Sequence, residues 1–210
     1  MLIVGLTGGI GVGKSTVTKL LAARGAVTVD VDALGRAVIA PGGGAVDAVV
    51  ERFGSSVRGD DGGIDRAALA GIVFGDEENL AALNALSHPA INEMLDAAVD
   101  DAVAATEDST RLIVVFDMAV LVESTLGQDT RHPYEVVVSV EAPLPIRLDR
   151  LEGRGMSRED ATARIDSQVT DDERRAVAQF IVGNGGDLDA LADAVDELWS
   201  QLVELNAQRG

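Results

Sequence analysis

The segment Gly8-Gly9-Ile10-Gly11-Val12-Gly13-Lys14-Ser15 constrains this chain more than any other feature. It fits G-x-x-x-x-G-K-[ST]. An apolar run of strand type, Leu2-Ile3-Val4-Gly5-Leu6-Thr7, stands directly before it, and Thr16-Val17-Thr18-Lys19-Leu20-Leu21-Ala22-Ala23, of helical type, stands directly behind it. Strand, glycine turn and helix in that order form the context of a phosphate-binding loop. The glycines let successive backbone N–H groups converge on one concavity, with the positive end of the helix behind them. In such a loop Lys14 reaches the outer phosphates and the Ser15 hydroxyl holds Mg²⁺. A glycine-rich turn matching by chance is the alternative, but the chain has only two lysines, Lys14 and Lys19, and one falls on the motif.

A chain of 210 residues is one large domain, or one domain carrying an insertion. Aromatic residues make up 3%, so a core must be built from Val, Leu, Ile and Ala. The absence of cysteine excludes disulfides, thiolate metal sites and a cysteine nucleophile. No apolar run approaches the length of a membrane span, and the N-terminus lacks the basic region of a signal peptide, so a soluble cytoplasmic protein is expected. A net charge of −18 argues against a nucleic-acid or anionic-membrane surface. It also opposes a triphosphate, so any phosphate site has to be assembled locally from backbone dipoles, Lys14, arginines and Mg²⁺.

Strand-type and helix-type segments alternate, which predicts a parallel sheet covered on both faces. Strands are expected at 2–7, 26–30, 111–117, 135–140 and 179–182. A last helix from Leu188 to about Leu205 would place Leu188, Leu191, Val195, Leu198, Trp199, Leu202 and Leu205 on one core-facing stripe. The stretch 36–105 is too long for a simple crossover and carries helical spacing, which predicts an all-helical insertion. His88-Pro89 is expected to interrupt a helix there, and His132, before another proline, to lie in a loop.

Asp30-Val31-Asp32 ends the second strand, at the carboxyl edge where open α/β sheets bind ligands. A carboxylate there can accept the proton of a substrate hydroxyl and share in Mg²⁺ coordination. Asp30 and Asp32 share one side only if the strand persists through 32; if a helix begins there, Asp32 is an N-cap. Arg147, Arg150 and Arg154 fall at i, i+3 and i+7, the spacing of one helical face, and could close over a triphosphate. Asp149, Glu152, Glu159 and Asp160 are interleaved with arginines, and a solvated, ion-paired helix fits them equally well. Asn184-Gly185-Gly186-Asp187 lacks the lysine of a guanine-reading N-K-x-D; it reads as a polar turn that can touch a base through its backbone.

Taken together these residues resemble the dephospho-coenzyme A kinase family. Gly5 to Ser15 is similar to its phosphate loop, and Asp30-Val31-Asp32 with Arg36 to its D-x-D segment. Ile64-Asp65-Arg66 with Leu69 and Val73-Phe74, then Leu83-Asn84-Ala85-Leu86-Ser87-His88-Pro89-Ala90-Ile91, match its insertion. Arg150-Leu151 with Arg154, Gln168 with Arg174, Ala178, and Asn184 with Gly186 follow its lid and C-terminal pattern. The resemblance runs from residue 1 to about 200. Departures are Ala119 where a proline is usual, Arg147 where a glutamine is usual, and Gln179 where an aspartate is usual.

The resemblance implies a five-stranded parallel α/β sheet of the P-loop NTPase, nucleoside-monophosphate-kinase-like type. Residues 1–35 and 106–206 would form its nucleotide-binding core, 36–105 a helical acceptor-binding insertion, and 143–170 a lid within the core. It implies transfer from ATP to the ribose 3′-hydroxyl of dephospho-coenzyme A, the last step of coenzyme A synthesis. ATP would be held by Gly9, Gly11, Val12, Gly13, Lys14, Ser15, Thr16, Asn184 and Gly186, with Mg²⁺ on Ser15. Lys14, Asp32, Arg150 and Arg154 would be catalytic, and Asp32, Arg66 and His88 would bind the acceptor. Two other readings fit the phosphate loop: a kinase of the same build acting on a nucleoside monophosphate or small metabolite, and a slow ATP-hydrolysing switch. The carboxylate after strand two and the arginines favour transfer over switching.

Overall fold

A computed structural model describes residues 1–209 of the chain. Five strands, β1 (Leu2–Thr7), β2 (Val27–Asp30), β3 (Ile113–Asp117), β4 (Val136–Glu141) and β5 (Phe180–Gly183), form one parallel sheet in the order β2-β3-β1-β4-β5. They are the five segments expected from the apolar runs. Their side chains alternate between two cores, as strand geometry requires. Ile3, Val114, Phe116 and Val137 face one core; Leu2, Val4, Leu6, Ile113, Val115, Val138 and Val140 face the other.

The second core is closed by α1 (Lys14–Ala23) and α9 (Leu188–Ala207). In α9, Leu191, Val195, Leu198 and Leu202 are buried and Trp199 and Leu205 are packed against them. Leu188 departs from the expected stripe: it is 71% exposed, because the first turn of α9 overhangs a surface cavity instead of the sheet.

The first core is closed by α2 (Val31–Ala37), α3 (Val46–Phe53), α4 (Arg66–Val73) and α5 (Glu77–Ala104). The stretch 36–105 is therefore helical, with one isolated antiparallel bridge, Arg58 to Ile64. His88-Pro89 does not interrupt it: α5 runs through Pro89 for 28 residues. A proline in a helix interior removes one backbone bond and crowds the turn before it. Here Ile91, Leu95 and Val99, all buried against the sheet side, hold the following turns in helix. Tertiary packing outweighs the local penalty.

After β3 an irregular strap, 118–135, crosses back over α5. Asn92, buried on α5, accepts from the Gly127 N–H at 3.1 Å and donates to the Asp129 carbonyl at 3.1 Å. Asp96 accepts from the Arg131 N–H at 3.0 Å, and Asp100 from Arg131 at 2.6 Å and from the His132 ring at 3.0 Å. The remaining helices are α6 (Leu144–Glu152), α7 (Arg158–Asp166) and α8 (Asp171–Val177). Leu95, fully buried where α5 meets the sheet, is the test of this packing. Leu95→Ala should lower the unfolding free energy by about 2–5 kcal/mol, read from urea denaturation.

Candidate active site

Sheet order places the site. β1 is central, β3 lies on one side of it and β4 on the other, so the chain switches sides at the carboxyl end of β1, where an open sheet leaves a crevice. Register brings Asp117 level with both Leu6 and Asp30. The glycine loop leaves β1 directly above that row.

The loop ends at Gly13, whose φ of 92° lies in the left-handed region and whose missing side chain caps nothing. The first amides of α1 are thus left to face a cavity of about 370 Å³. Gly9, Gly11, Gly13, Lys14, Ser15, Asp32, Asp117, Arg154 and Gln168 all border it. Lys14 lies across its floor, ion-paired with Asp117 and 3.9 Å from Asp32. Thr18 Oγ1 donates to the second oxygen of Asp117 at 2.7 Å.

Asp30 and Asp32 divide their work. The helix begins at Val31, and Asp30 is its N-cap, accepting from the Ala33 N–H at 2.7 Å. Of the two alternatives for Asp32, strand continuation and capping, neither occurs. Asp32 sits in the first turn of α2, where its carboxylate reaches the Ala119 N–H at 3.4 Å. It borders the phosphate-loop cavity and also a second cavity of about 340 Å³, as Arg36 does. Arg66, Asn84, His88, Val120 and Leu126 complete that second cavity. His88 is half-buried, and burial lowers its pKa from the ordinary 6.5, so its ring is neutral at pH 7. The expected acceptor residues Asp32, Arg66 and His88 are therefore brought together, by α2, α4 and α5.

Arg147 and Arg150 share the face of α6 that meets the phosphate loop, but Arg154 does not continue it. α6 ends at Glu152, which leaves Arg154 in the following turn. Its side chain makes no hydrogen bond or ion pair among the described residues, and it borders both the phosphate-loop cavity and a third one. Arg150 donates to the Val12 carbonyl at 3.1 Å and to the Asn184 side-chain and backbone oxygens at 3.1 Å. Asn184, buried, donates to the same Val12 carbonyl at 2.7 Å. Arg147 is buried beneath the loop. The ion-paired alternative describes Arg158 alone, which meets Glu152 at 2.9 Å and Asp149 at 3.8 Å. The third cavity, about 480 Å³, is lined by Gly13, Thr16, Arg150, Asn184, Gly186 and Leu188, among others.

Asp117 was missed by sequence reasoning. Its signal was available: an unbroken apolar run, Leu112 to Phe116, that ends in a carboxylate as β2 ends in Asp30. What could not be read from the sequence is that β3 lies beside β1, which puts Asp117 against Lys14.

A family profile described as dephospho-CoA kinase (CoaE) matches residues 2–190. A dephospho-CoA kinase of Frankia casuarinae is 45% identical over 203 residues, covering 97% of this chain and 84% of that protein. The chain belongs to the dephospho-CoA kinase family. Its fold is shared with a Thermus thermophilus protein, TT1252, at TM-score 0.74 and 32% identity, covering 96% of this chain and 97% of that one. A dephospho-CoA kinase from Campylobacter jejuni, 20% identical, has the same fold at TM-score 0.66, covering 97% of this chain and 98% of that one.

The division between the aspartates can be tested on stability alone. Asp30→Ala should cost about 1 kcal/mol through loss of the cap. Asp32→Ala, with no capping role, should stay within about 0.5 kcal/mol of wild type in the same denaturation experiment.

Proposed function

We propose that the chain transfers the γ-phosphoryl group of ATP to the ribose 3′-hydroxyl of dephospho-coenzyme A, giving coenzyme A and ADP in the cytoplasm. The observation that carries this reading is the position of Asp32, 3.9 Å from the Lys14 ammonium and on the border of two cavities. An acceptor in the second cavity would present its hydroxyl to the phosphates in the first across this one carboxylate.

The nucleotide would lie from Asn184 to Asp32. Its base would enter the cavity lined by Thr16, Arg150, Asn184 and Gly186, and its phosphates would follow Gly9, Gly11, Val12, Gly13, Lys14 and Ser15. Asp32 would orient the acceptor hydroxyl and take its proton as the bond to phosphorus forms. Lys14 would move from Asp117 toward the outer phosphates and neutralise charge there. Arg154, whose side chain has no hydrogen bond or ion pair among the described residues, would meet the transferring group. Arg150 would act from its anchored position, between the loop and the base, within a lid at residues 143–170.

On the acceptor side, residues 36–105 would supply most of the pocket, the core being 1–35 and 106–206. Arg36 and Arg66 suit the diphosphate of dephospho-coenzyme A. The apolar wall of Ile39, Leu83, Ile91, Val120 and Leu126 suits its uncharged arm. The neutral His88 would donate or accept a hydrogen bond and bring no charge.

The donor set fits Mg²⁺. Ser15 and the carboxylates Asp32 and Asp117 border one cavity. Mg²⁺ characteristically keeps several waters and takes one or two carboxylates plus substrate phosphates. When bound, it would neutralise charge on the phosphates. No helix among the described residues is long and apolar enough to cross a membrane, and the net charge of −18 disfavours nucleic acid as a partner.

The purified protein, given ATP, Mg²⁺ and dephospho-coenzyme A, should form 3′-phosphorylated product and ADP in equal amounts, with little ADP when acceptor is withheld. Equal turnover of a nucleoside monophosphate, or acceptor-independent hydrolysis at the same rate, would overturn the reading. Asp32→Asn should lower turnover by about 10²-fold or more while ATP affinity changes little. Arg66→Ala should raise the KM for dephospho-coenzyme A and leave that for ATP unchanged.

A further inference from the structure

The phosphate loop is also gripped by side chains to which the reaction above gives no role: Gln168 at the border of the cavity, and Arg147, buried beneath the loop and outside the cavity lining. Ile10 is held at both backbone polar groups. Its N–H donates to Gln168 Oε1 at 2.8 Å, and its carbonyl accepts from Arg147 Nε at 2.9 Å. Arg147 is 4% exposed and pairs through Nη1 with Asp171 at 3.3 Å. Arg174, 1% exposed, meets the same carboxylate at 3.3 Å, so two buried guanidinium groups share one aspartate. Burial pushes the Arg147 pKa below the usual arginine range, with Asp171 opposing the shift and Arg174 reinforcing it. Such a place is unfavourable for a cation unless its hydrogen bonds matter.

The glycines make room for this side chain. A Cβ on Gly9 would stand 2.5 Å from Arg147 Nη2. One on Gly11, where φ is +83°, would stand 3.2 Å from Arg147 Cα. The loop is thus seated directly on the start of α6.

We propose that Arg147 is a positioning residue for phosphoryl transfer: it fixes the Ile10–Gly11 peptide so that the Gly11 amide faces the nucleotide phosphates. A trans peptide is planar, with its C=O and N–H on opposite sides. Arg147 holds the Ile10 carbonyl beneath the loop, so the Gly11 N–H points toward the cavity that Gly11 borders. Glycine at this position tolerates the flipped peptide as well, since it populates both signs of φ readily. A flip would turn a carbonyl oxygen toward the phosphates. The hydrogen bond from Nε, not the guanidinium charge, is what selects the productive orientation.

This inference rests on the nucleotide half of the proposed function, and side-chain chemistry separates the bond from the charge. Glutamine carries an N–H at the same distance along the side chain as Arg Nε, without the guanidinium; methionine carries a methyl group there. ATP, ADP and adenosine affinities would be measured by calorimetry for wild type, Arg147→Gln and Arg147→Met. The Met variant should bind ATP and ADP about 10- to 100-fold more weakly, the range for a lost hydrogen bond to a charged group. Its adenosine affinity should be unchanged, and the Gln variant should stay close to wild type for all three. Wild-type ATP affinity in the Met variant, equal losses in both variants, or adenosine binding that falls in parallel would each overturn the proposal. Should the Met variant fail to fold, the Gln variant decides: retained ATP affinity supports the role of the Nε bond, and a loss overturns it. No acceptor enters these measurements. Failure of the wild type to phosphorylate dephospho-coenzyme A would therefore sink the proposed reaction without touching this result.

Discussion

One ammonium group held between carboxylates organises the carboxyl edge of this sheet. Lys14 begins α1 directly after the glycine turn, ion-paired with Asp117 and 3.9 Å from Asp32. Those two aspartates lie far apart in sequence and meet because β2, β3 and β1 are adjacent and in register. In a chain of net charge −18 the surroundings do not favour an anion. In the proposed reaction a triphosphate entering the cavity would compete with Asp117 for that lysine, with the loop amides, the α1 N-terminus and Arg154 on its side. Nucleotide affinity would then be set by two anions contending for one cation, and not by a broad basic surface.

The same edge joins the phosphate-loop cavity and the second cavity through a short helix. α2 follows β2 without a linker, and Asp30 satisfies its N-terminus. Because the cap is Asp30, the carboxylate two residues on, Asp32, is free to face both cavities. The wall of the second cavity then comes from elements that could have drifted apart: α4 and α5 on one side, the strap after β3 on the other. Asn92, Asp96 and Asp100, all on one face of α5, tie the strap down. Those side chains bind backbone as well as side chains, so they fix the path of the strap and with it Val120 and Leu126.

How much of this was legible in the sequence follows from how local each signal is. The phosphate loop, the five strands and the helical character of 36–105 are written in short stretches, and each was read from adjacent residues. Asp32 was legible because it follows directly on the end of the second strand, although α2 and not the strand carries it. Arg66 and His88 came only from resemblance, since nothing local distinguishes an arginine after a capping aspartate or a histidine in a long helix. Pro89 misled because its penalty is local while the packing of Ile91, Leu95 and Val99 that outweighs it is not. Arg147, Arg150 and Arg154 misled because their spacing presumes a helix that in fact ends at Glu152. Asp117 was passed over because strand order is invisible in a single sequence.

The loop motif itself is incomplete in the same sense. Its glycines permit inward-facing amides but do not compel them, since glycine accepts either peptide orientation. The choice is made by what holds the carbonyls on the far side. Here the Ile10 carbonyl is held by Arg147, and the Val12 carbonyl by Arg150 and Asn184. These partners lie on α6 and in the turn after β5, more than half the chain away in sequence, and Arg150 and Asn184 also line the third cavity. On the proposed placement of the nucleotide, a base settling against Arg150 and Asn184 would meet the same side chains that hold the Val12 carbonyl. Base binding and phosphate alignment would then be coupled through the back of the loop.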